Sequence, residues 1–195
     1  MELLWFEGAL MLFGRKVKAE DFEAAALPHL NSLFRTAGRL IGNRGEAEDL
    51  VQEVYLQAWK SFHRFEPGTN CRAWLFKILL YKISHYRRKQ LRLVTNDVEI
   101  LEDVAYEPGV PEHLRDEEVL MGLEKIPEYY REAILLADVE EFSYQEIASM
   151  LNVPIGTVMS RLSRGRKLLR IELAVVAESY GIKSARKEAR GGESV

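Results

Sequence analysis

Between Ser143 and Arg170 the chain reads SYQEIASMLNVPIGTVMSRLSRGRKLLR, and this stretch admits few folds. Ile147, Ala148 and Leu151 recur at helical spacing, Asn152-Val153-Pro154 interrupts them, and Val158, Leu162, Leu168 and Leu169 resume the stripe. Two helices joined by a tight turn satisfy that pattern. Small Ala148 permits a close crossing, Asn152 tolerates the left-handed backbone of a chain reversal, and Val158 fills the angle between the helices. This is the helix-turn-helix layout. Ser143 with Glu146 three residues on forms a capping box, and Phe142 before it is placed to staple onto Ile147. The second helix carries Arg161, Arg164, Arg166, Lys167 and Arg170, with no acid from Val153 to Arg170. Such a helix suits the DNA major groove, with early residues at base edges and cations on phosphates. The plainer alternative is an amphipathic hairpin with a solvated basic face.

The remaining chain weighs between these. At 195 residues it holds one large domain or two small ones. The net charge of −3 does not announce a nucleic-acid binder, so distribution matters more than the sum. The single cysteine, Cys71, rules out an internal disulfide and offers no zinc cluster, in keeping with a reducing cytoplasm. No stretch has the length of a membrane span. Residues 1–20 read as a non-core leader or as a helix docking on the first domain: the apolar part, Leu3 to Phe13, is short and precedes its cations, the reverse of a secretory signal.

Helical periodicity begins at Asp21, with Phe22, Leu27, Leu30, Leu33, Phe34, Ala37 and Leu40 expected inside, and breaks at Gly42-Asn43. The next helix, to about Phe62, turns Ala47, Leu50, Val51, Val54, Ala58 and Phe62 inward. Its other face shows Glu46, Asp49, Gln52, Glu53 and Gln57. That face is either solvated or docked on a basic partner helix. After a Pro-Gly loop, a third helix from about Arg72 to Arg92 packs Trp74, Leu75, Ile78, Leu79 and Ile83 inward. It holds Arg72, Lys77, Lys82, Arg87, Arg88, Lys89 and Arg92 with no acid, and Tyr81, His85 and Tyr86 lie among them. Cations interleaved with rings beside a loop are what a single strand needs, charge for its backbone and flat faces for unstacked bases. Core packing is the competing role for the rings, favoured for Trp74 and open for Tyr81 and Tyr86.

Residues 93–117 switch composition. Asp97, Glu99, Glu102, Asp103, Glu107, Glu112, Asp116 and Glu117 face Arg115 alone, around Pro108-Gly109 and Pro111. This acidic linker divides the chain into two helical modules, 21–92 and 118–174. The second opens with Val119, Leu120, Leu123 and Ile126, is stopped by Pro127, and resumes as helix from Tyr129 to Val139. Residues 175–195 end the chain as a basic tail. The fold class expected is all-α: two small helical domains, the second containing the helix-turn-helix.

Taken in order, DLVQEVYLQAW (Asp49–Trp59), RAWLFKI (Arg72–Ile78), IPEYYREAILL (Ile126–Leu136) and the opening stretch resemble bacterial RNA polymerase sigma factors of the extracytoplasmic-function (ECF) group, in the sigma-70 family. The resemblance covers roughly Asp21 to Leu173. It implies a dissociable specificity subunit that is not an enzyme and uses no cofactor or metal. It also implies a region 2 that binds the clamp helices of the largest polymerase subunit and melts the −10 element, and a region 4 that docks on the flap of the second-largest subunit and reads the −35 element. By the same resemblance Asp49, Gln52 and Glu53 bind polymerase. Phe65, Asn70, Arg72, Lys77, Tyr81, Lys82, His85, Arg88 and Lys89 serve −10 DNA, the loop from Phe65 to Cys71 capturing a flipped base. Gly156, Thr157, Ser160, Arg161, Ser163, Arg164 and Lys167 serve −35 DNA. Promoter DNA, core polymerase and an anti-sigma factor are the partners implied, in the cytoplasm and without membrane insertion. Many members of the group carry Asn where this chain has Tyr81, and often Arg where it has Met159, so a relative's promoter sequence does not transfer.

Three rivals make different demands. A helix-turn-helix regulator with a sensor or dimerisation domain binds duplex tightly without polymerase. An enzyme needs a site, yet His29, His63, His85 and His113 are scattered and no nucleophile motif appears. A pure adaptor fits the acidic face and linker but not the acid-free basic stretches.

Overall fold

The computed structural model describes residues 18–94 and 121–179, all helix and turn. The chain divides into two compact units between Leu101 and Glu102.

In the first unit α1 (Ala19–Ala26) leads through a 3-10 turn (Leu27–His29) into α2 (Leu30–Ile41). Gly42, at φ +78°, ends α2 with its N–H on the Gly38 carbonyl. Asn43 caps the next helix by accepting the Glu46 N–H, so both residues of the sequence break serve as caps. Helix α3 (Arg44–Ser61) and α4 (Cys71–Val94) follow, joined by a 3-10 turn (Phe62–Arg64) and the Pro-Gly loop. Helix α2 packs on α3, and α4 packs on both and on α1. The core is Leu33, Ala37 and Leu40 of α2, Leu50, Val51 and Val54 of α3, and Leu75, Phe76, Leu79, Leu80 and Ile83 of α4. The Tyr55 hydroxyl donates to the Ala26 carbonyl at 2.8 Å and pins the α1–α2 corner to α3. Burial pushes that phenol up to about 12.

Several expected inward positions differ. Leu27 and Leu30 are exposed because Pro28 tightens the chain into a 3-10 turn and shifts the helical phase. On α4, Phe76 and Leu80 are buried, whereas Trp74 and Ile78 are half-buried. The helix lies against two main neighbours, so its covered face is wider than a single stripe. Arg87 is not simply part of a basic face: it donates to the Leu40 carbonyl at 3.0 Å, where a cation offsets the negative end of α2.

The second unit starts with helical residues 121–124 and turns at Pro127 into α5 (Glu128–Ile134). Arg131 donates to the carbonyls of Glu124 and Ile126 across that corner, and burial lowers its pKa. A π-turn (Leu135–Val139) closes α5, with the Glu140 N–H on the Leu135 carbonyl at 2.9 Å. The sequence expectation of plain helix to Val139 missed this widening, which leaves Ala137 half-buried while Leu135 and Leu136 are buried. Glu141 then takes φ +55°. The capping box of α6 (Tyr144–Leu151) is complete: the Ser143 hydroxyl accepts from the Glu146 N–H and the Glu146 carboxylate accepts from the Ser143 N–H. Asn152 has φ 52° and ψ 49°, the left-handed turn expected of it. Helix α7 (Ile155–Ser179) follows and packs on α5 and α6, with Val158 and Leu162 buried. Met150, rather than Leu151, is the second buried side chain of α6.

Glutamate gains nothing visible from a left-handed backbone, which costs an L side chain about 1–2 kcal/mol. Glu141→Gly removes that cost while adding up to about 1 kcal/mol of unfolded-state entropy. The expected result is a net stabilisation of about 0.5–1 kcal/mol, read as a raised thermal unfolding midpoint.

The leader up to residue 17, the linker from residue 95 to 117, Val119 and Leu120, and the tail from residue 180 lie outside the described residues. The leader's last residues, Ala19 and Glu20, belong to α1, and the first five residues assigned to the tail continue α7.

Candidate nucleic-acid interface

Two surfaces carry the residues singled out from sequence, one in each unit. On the first, α3 and α4 flank an open groove of about 830 Å³. Leu50, Glu53 and Gln57 line it from α3. Trp74, Lys77, Ile78, Tyr81, Lys82, His85, Tyr86 and Lys89 line it from α4. Four-residue steps place Lys77, Tyr81, His85 and Lys89 on one ridge of α4, with Arg88 beside it. All are exposed, Tyr81 at 64%, which frees its ring from any part in the core. Tyr86 differs: half-buried, it accepts a hydrogen bond from Gln90 at 2.9 Å, and burial together with Glu46 raises its pKa.

The loop before α4 is a preformed turn. Gly68 adopts φ +86°, the Thr69 hydroxyl donates to the Glu66 carbonyl, and the Asn70 side chain accepts the Ala73 N–H as a helix cap. Phe65 stacks on Phe62 with centroids 5.4 Å apart and leans on Trp74 at 5.2 Å. Phe65 and Trp74 therefore form the half-buried edge of an aromatic cluster that runs through Phe62 to Phe22. Arg72 is half-buried, its guanidinium 5.3 Å from the Phe76 centroid.

Asp49, Gln52 and Glu53 are exposed together on α3. Leu56, on the same stripe, is 55% exposed; the sequence reading assigns it to neither face of the helix. The two faces meet at an ion pair: Lys82 Nζ lies 2.8 Å from the Glu53 carboxylate.

The second surface is α7. Gly156, Ser160, Ser163, Arg164 and Lys167 are exposed, while Thr157 and Arg161 are half-covered. The Ser160 hydroxyl donates to the Thr157 carbonyl. Arg161 lies 5.7 Å from the Tyr129 centroid, and the positive charge of Arg164 bears on the Tyr130 hydroxyl. The hydrogen bond that Tyr130 shares with Tyr129, then Arg164, lowers the Tyr130 pKa. On the opposite flank Arg166 makes a two-pronged ion pair with Asp138, which raises its pKa further. Arg166 thus braces α7 against the π-turn. Tyr129, Tyr130 and Asp138 were not singled out from sequence; the one available signal was two adjacent rings in the first turn after Pro127, where a helix stripe needs only one.

Among the described residues no His, Cys, Asp and Glu side chains gather to hold a metal ion, and no helix is long and apolar enough to cross a membrane.

Residues 26–93 match the family Sigma-70 region 2, and residues 116–169 match Sigma-70, region 4. The chain is 38% identical over 160 residues to the ECF RNA polymerase sigma factor EcfG of Rhodopseudomonas palustris, covering 80% of this chain and 86% of that one. It is 34% identical over 184 residues to SigE, another such factor, of Mycolicibacterium smegmatis, covering 87% and 71%. Among solved structures it is similar to the sigma factor RpoE of Bartonella quintana, determined with the anti-sigma factor NepR: TM-score 0.73, 35% identity, 80% of this chain and 99% of that one. CnrH shares the fold at TM-score 0.56 and 24% identity, over 83% and 90% of the two chains.

Proposed function

The chain belongs to the sigma-70 family of RNA polymerase sigma factors, in the ECF group, and from that premise we propose how its two surfaces divide the work of initiation. As a sigma factor it directs core RNA polymerase to promoter DNA. The exposed Asp49–Gln52–Glu53 face meets the basic clamp helices of the largest subunit. The α4 ridge of Lys77, Tyr81, His85, Arg88 and Lys89, with Lys82, Arg72 and the Phe65–Asn70 loop, holds the melted −10 strand. The α7 surface of Gly156, Thr157, Ser160, Arg161, Ser163, Arg164 and Lys167 reads the −35 duplex while the second unit rests on the flap.

The observation that carries this reading is the placement, on adjoining helices of one compact unit, of an acidic face and a cation-and-ring ridge. One surface repels DNA and the other attracts it, so the unit faces protein on one side and a single strand on the other. Melting needs binding energy rather than bond chemistry: capturing an extruded base offsets a few kcal/mol of unstacking and unpairing. No residue here is assigned a catalytic role. Each unit grips weakly, and polymerase, by holding both at once, raises their effective concentration on one promoter. The chain acts in the cytoplasm, where its polymerase is. An anti-sigma factor controls it by covering these surfaces, a reading supported by the Bartonella relative solved with one.

The Lys82–Glu53 pair ties the two tasks together. In the free chain it neutralises a cation that DNA needs. A pair this exposed is worth about 0.2–1 kcal/mol. Glu53→Gln therefore raises the free chain's affinity for a single-stranded oligonucleotide by about 1.4-fold to fivefold at low salt, and the gain fades as salt screens it. An unchanged or weaker affinity in fluorescence anisotropy would contradict this.

Reconstituted transcription with core polymerase on a promoter library tests the whole reading. Arg164→Ala should lose promoter binding while keeping polymerase, and Asp49→Ala the reverse. A chain that neither joins core polymerase nor starts RNA on any template would overturn it.

A further inference from the structure

Helix α7 begins with an apolar strip in an otherwise polar, cationic surface. Ile155 is 44% exposed and Met159, one turn on, is 55% exposed. The same four-residue step continues to Ser163 and Lys167, both exposed. Along one ridge the helix thus presents two apolar side chains, then a hydroxyl, then a cation.

Lone exposed apolar residues are common and need no explanation. This pair sits where placement limits its use. It occupies the first two turns of the helix that enters the groove, where base edges are closest. A protein partner is a poor match, because two side chains cover far less than the roughly 800 Å² per side of a stable interface. The rest of the ridge, with no acid between Val153 and Arg170, suits a polyanion. In the major groove of DNA the apolar group on offer is the thymine C5-methyl.

We propose that Met159, with Ile155 one turn before it, reads thymine methyl groups in the upstream promoter element. The inference rests on the second unit being the duplex reader, and it adds the base those side chains select. Met159 is unbranched and has rotamers to spare, so it follows a methyl group across more than one base step. Ser160 and Ser163 beside it are left to hydrogen-bond neighbouring edges.

The test uses the full chain on core polymerase and a duplex pool randomised across the upstream element. Enriched duplexes are remade with deoxyuridine in place of each thymine, one at a time, which deletes only the methyl group. At one or two positions the replacement should weaken binding about fourfold, the equivalent of one buried methyl group. With Met159→Ala that penalty should disappear at one of them, while thermal unfolding stays unchanged because the side chain is exposed. Ile155→Ala should act on a different thymine or on none. The inference is overturned if deoxyuridine is neutral everywhere, or if its penalty survives both substitutions. A pool that shows no enrichment overturns the reading of the second unit, and this inference with it.

Discussion

Asp49→Lys combined with Glu53→Lys lowers the affinity for core RNA polymerase by more than about a hundredfold. The face they occupy contributes nothing to the core of the first unit, which uses Ala47, Leu50, Val51, Val54 and Ala58 of the same helix. The double variant should therefore fold, with the far-ultraviolet spectrum of the native chain and an unfolding midpoint lowered only by the loss of the Lys82–Glu53 pair, about 1 kcal/mol. What changes is the sign of the field presented to the clamp helices. Juxtaposed like charges cost several kcal/mol, and each 1.4 kcal/mol is tenfold in affinity. Asp49→Asn with Glu53→Gln deletes the attraction without adding repulsion, and should fall between the two. Glu53→Lys also sets a second cation against Lys82, so the reversal raises the positive potential of the groove and strengthens non-specific binding to single strands. Opposite shifts in the two affinities separate a polymerase contact from a general loss of structure. If the double variant formed holoenzyme within a few-fold of the native chain, the acidic face would be merely solvated. Leu56→Asp extends the experiment to the apolar neighbour that the sequence placed on no surface.

The helices and the helix-turn-helix were legible because local chemistry fixes them. The Ser143–Glu146 box, Asn152 in the left-handed region and Val158 in the core all follow from residues close to one another in sequence. The cations around Tyr81 could be placed by spacing, but whether its ring joined the core stayed open until its exposure decided it. What stayed hidden depends on neighbours distant in sequence. Arg87 belongs to a helix end 47 residues earlier, and Arg166 to an aspartate 28 residues earlier, so both read as ordinary members of a basic run. The same is true of Lys82 and Glu53, two residues assigned to different partners that prove to touch. Leu27 and Leu30 satisfied a helical count that Pro28 then shifted out of phase. The π-turn has no sequence mark of its own, since Leu135-Leu136-Ala137 reads as helix in any register.

Gly165→Leu lowers the stability of the second unit by about 3 kcal/mol and leaves the first unit unchanged. A glycine inside a helix costs about 1 kcal/mol against alanine, so its presence in the middle of α7 needs a reason. A Cβ there would lie 3.0 Å from the Tyr130 Cβ and 3.0 Å from Ile134 Cδ1. Bare backbone is what lets α7 sit down on α5. Alanine sets a gain in helix propensity against a displacement of a few tenths of an ångström, and the two nearly cancel. Leucine cannot fit without parting the helices. Since Tyr129 and Tyr130 steady Arg161 and Arg164, parting them also releases two of the cations assigned to the −35 duplex. Calorimetry of the full chain should show the transition of the second unit moving down while that of the first stays in place. Transcription should fall most on promoters that depend on the upstream element, with polymerase binding through Asp49 and Glu53 retained. A Gly165→Leu chain with native stability would mean that α7 packs on α5 less closely than the geometry at Tyr130 and Ile134 requires.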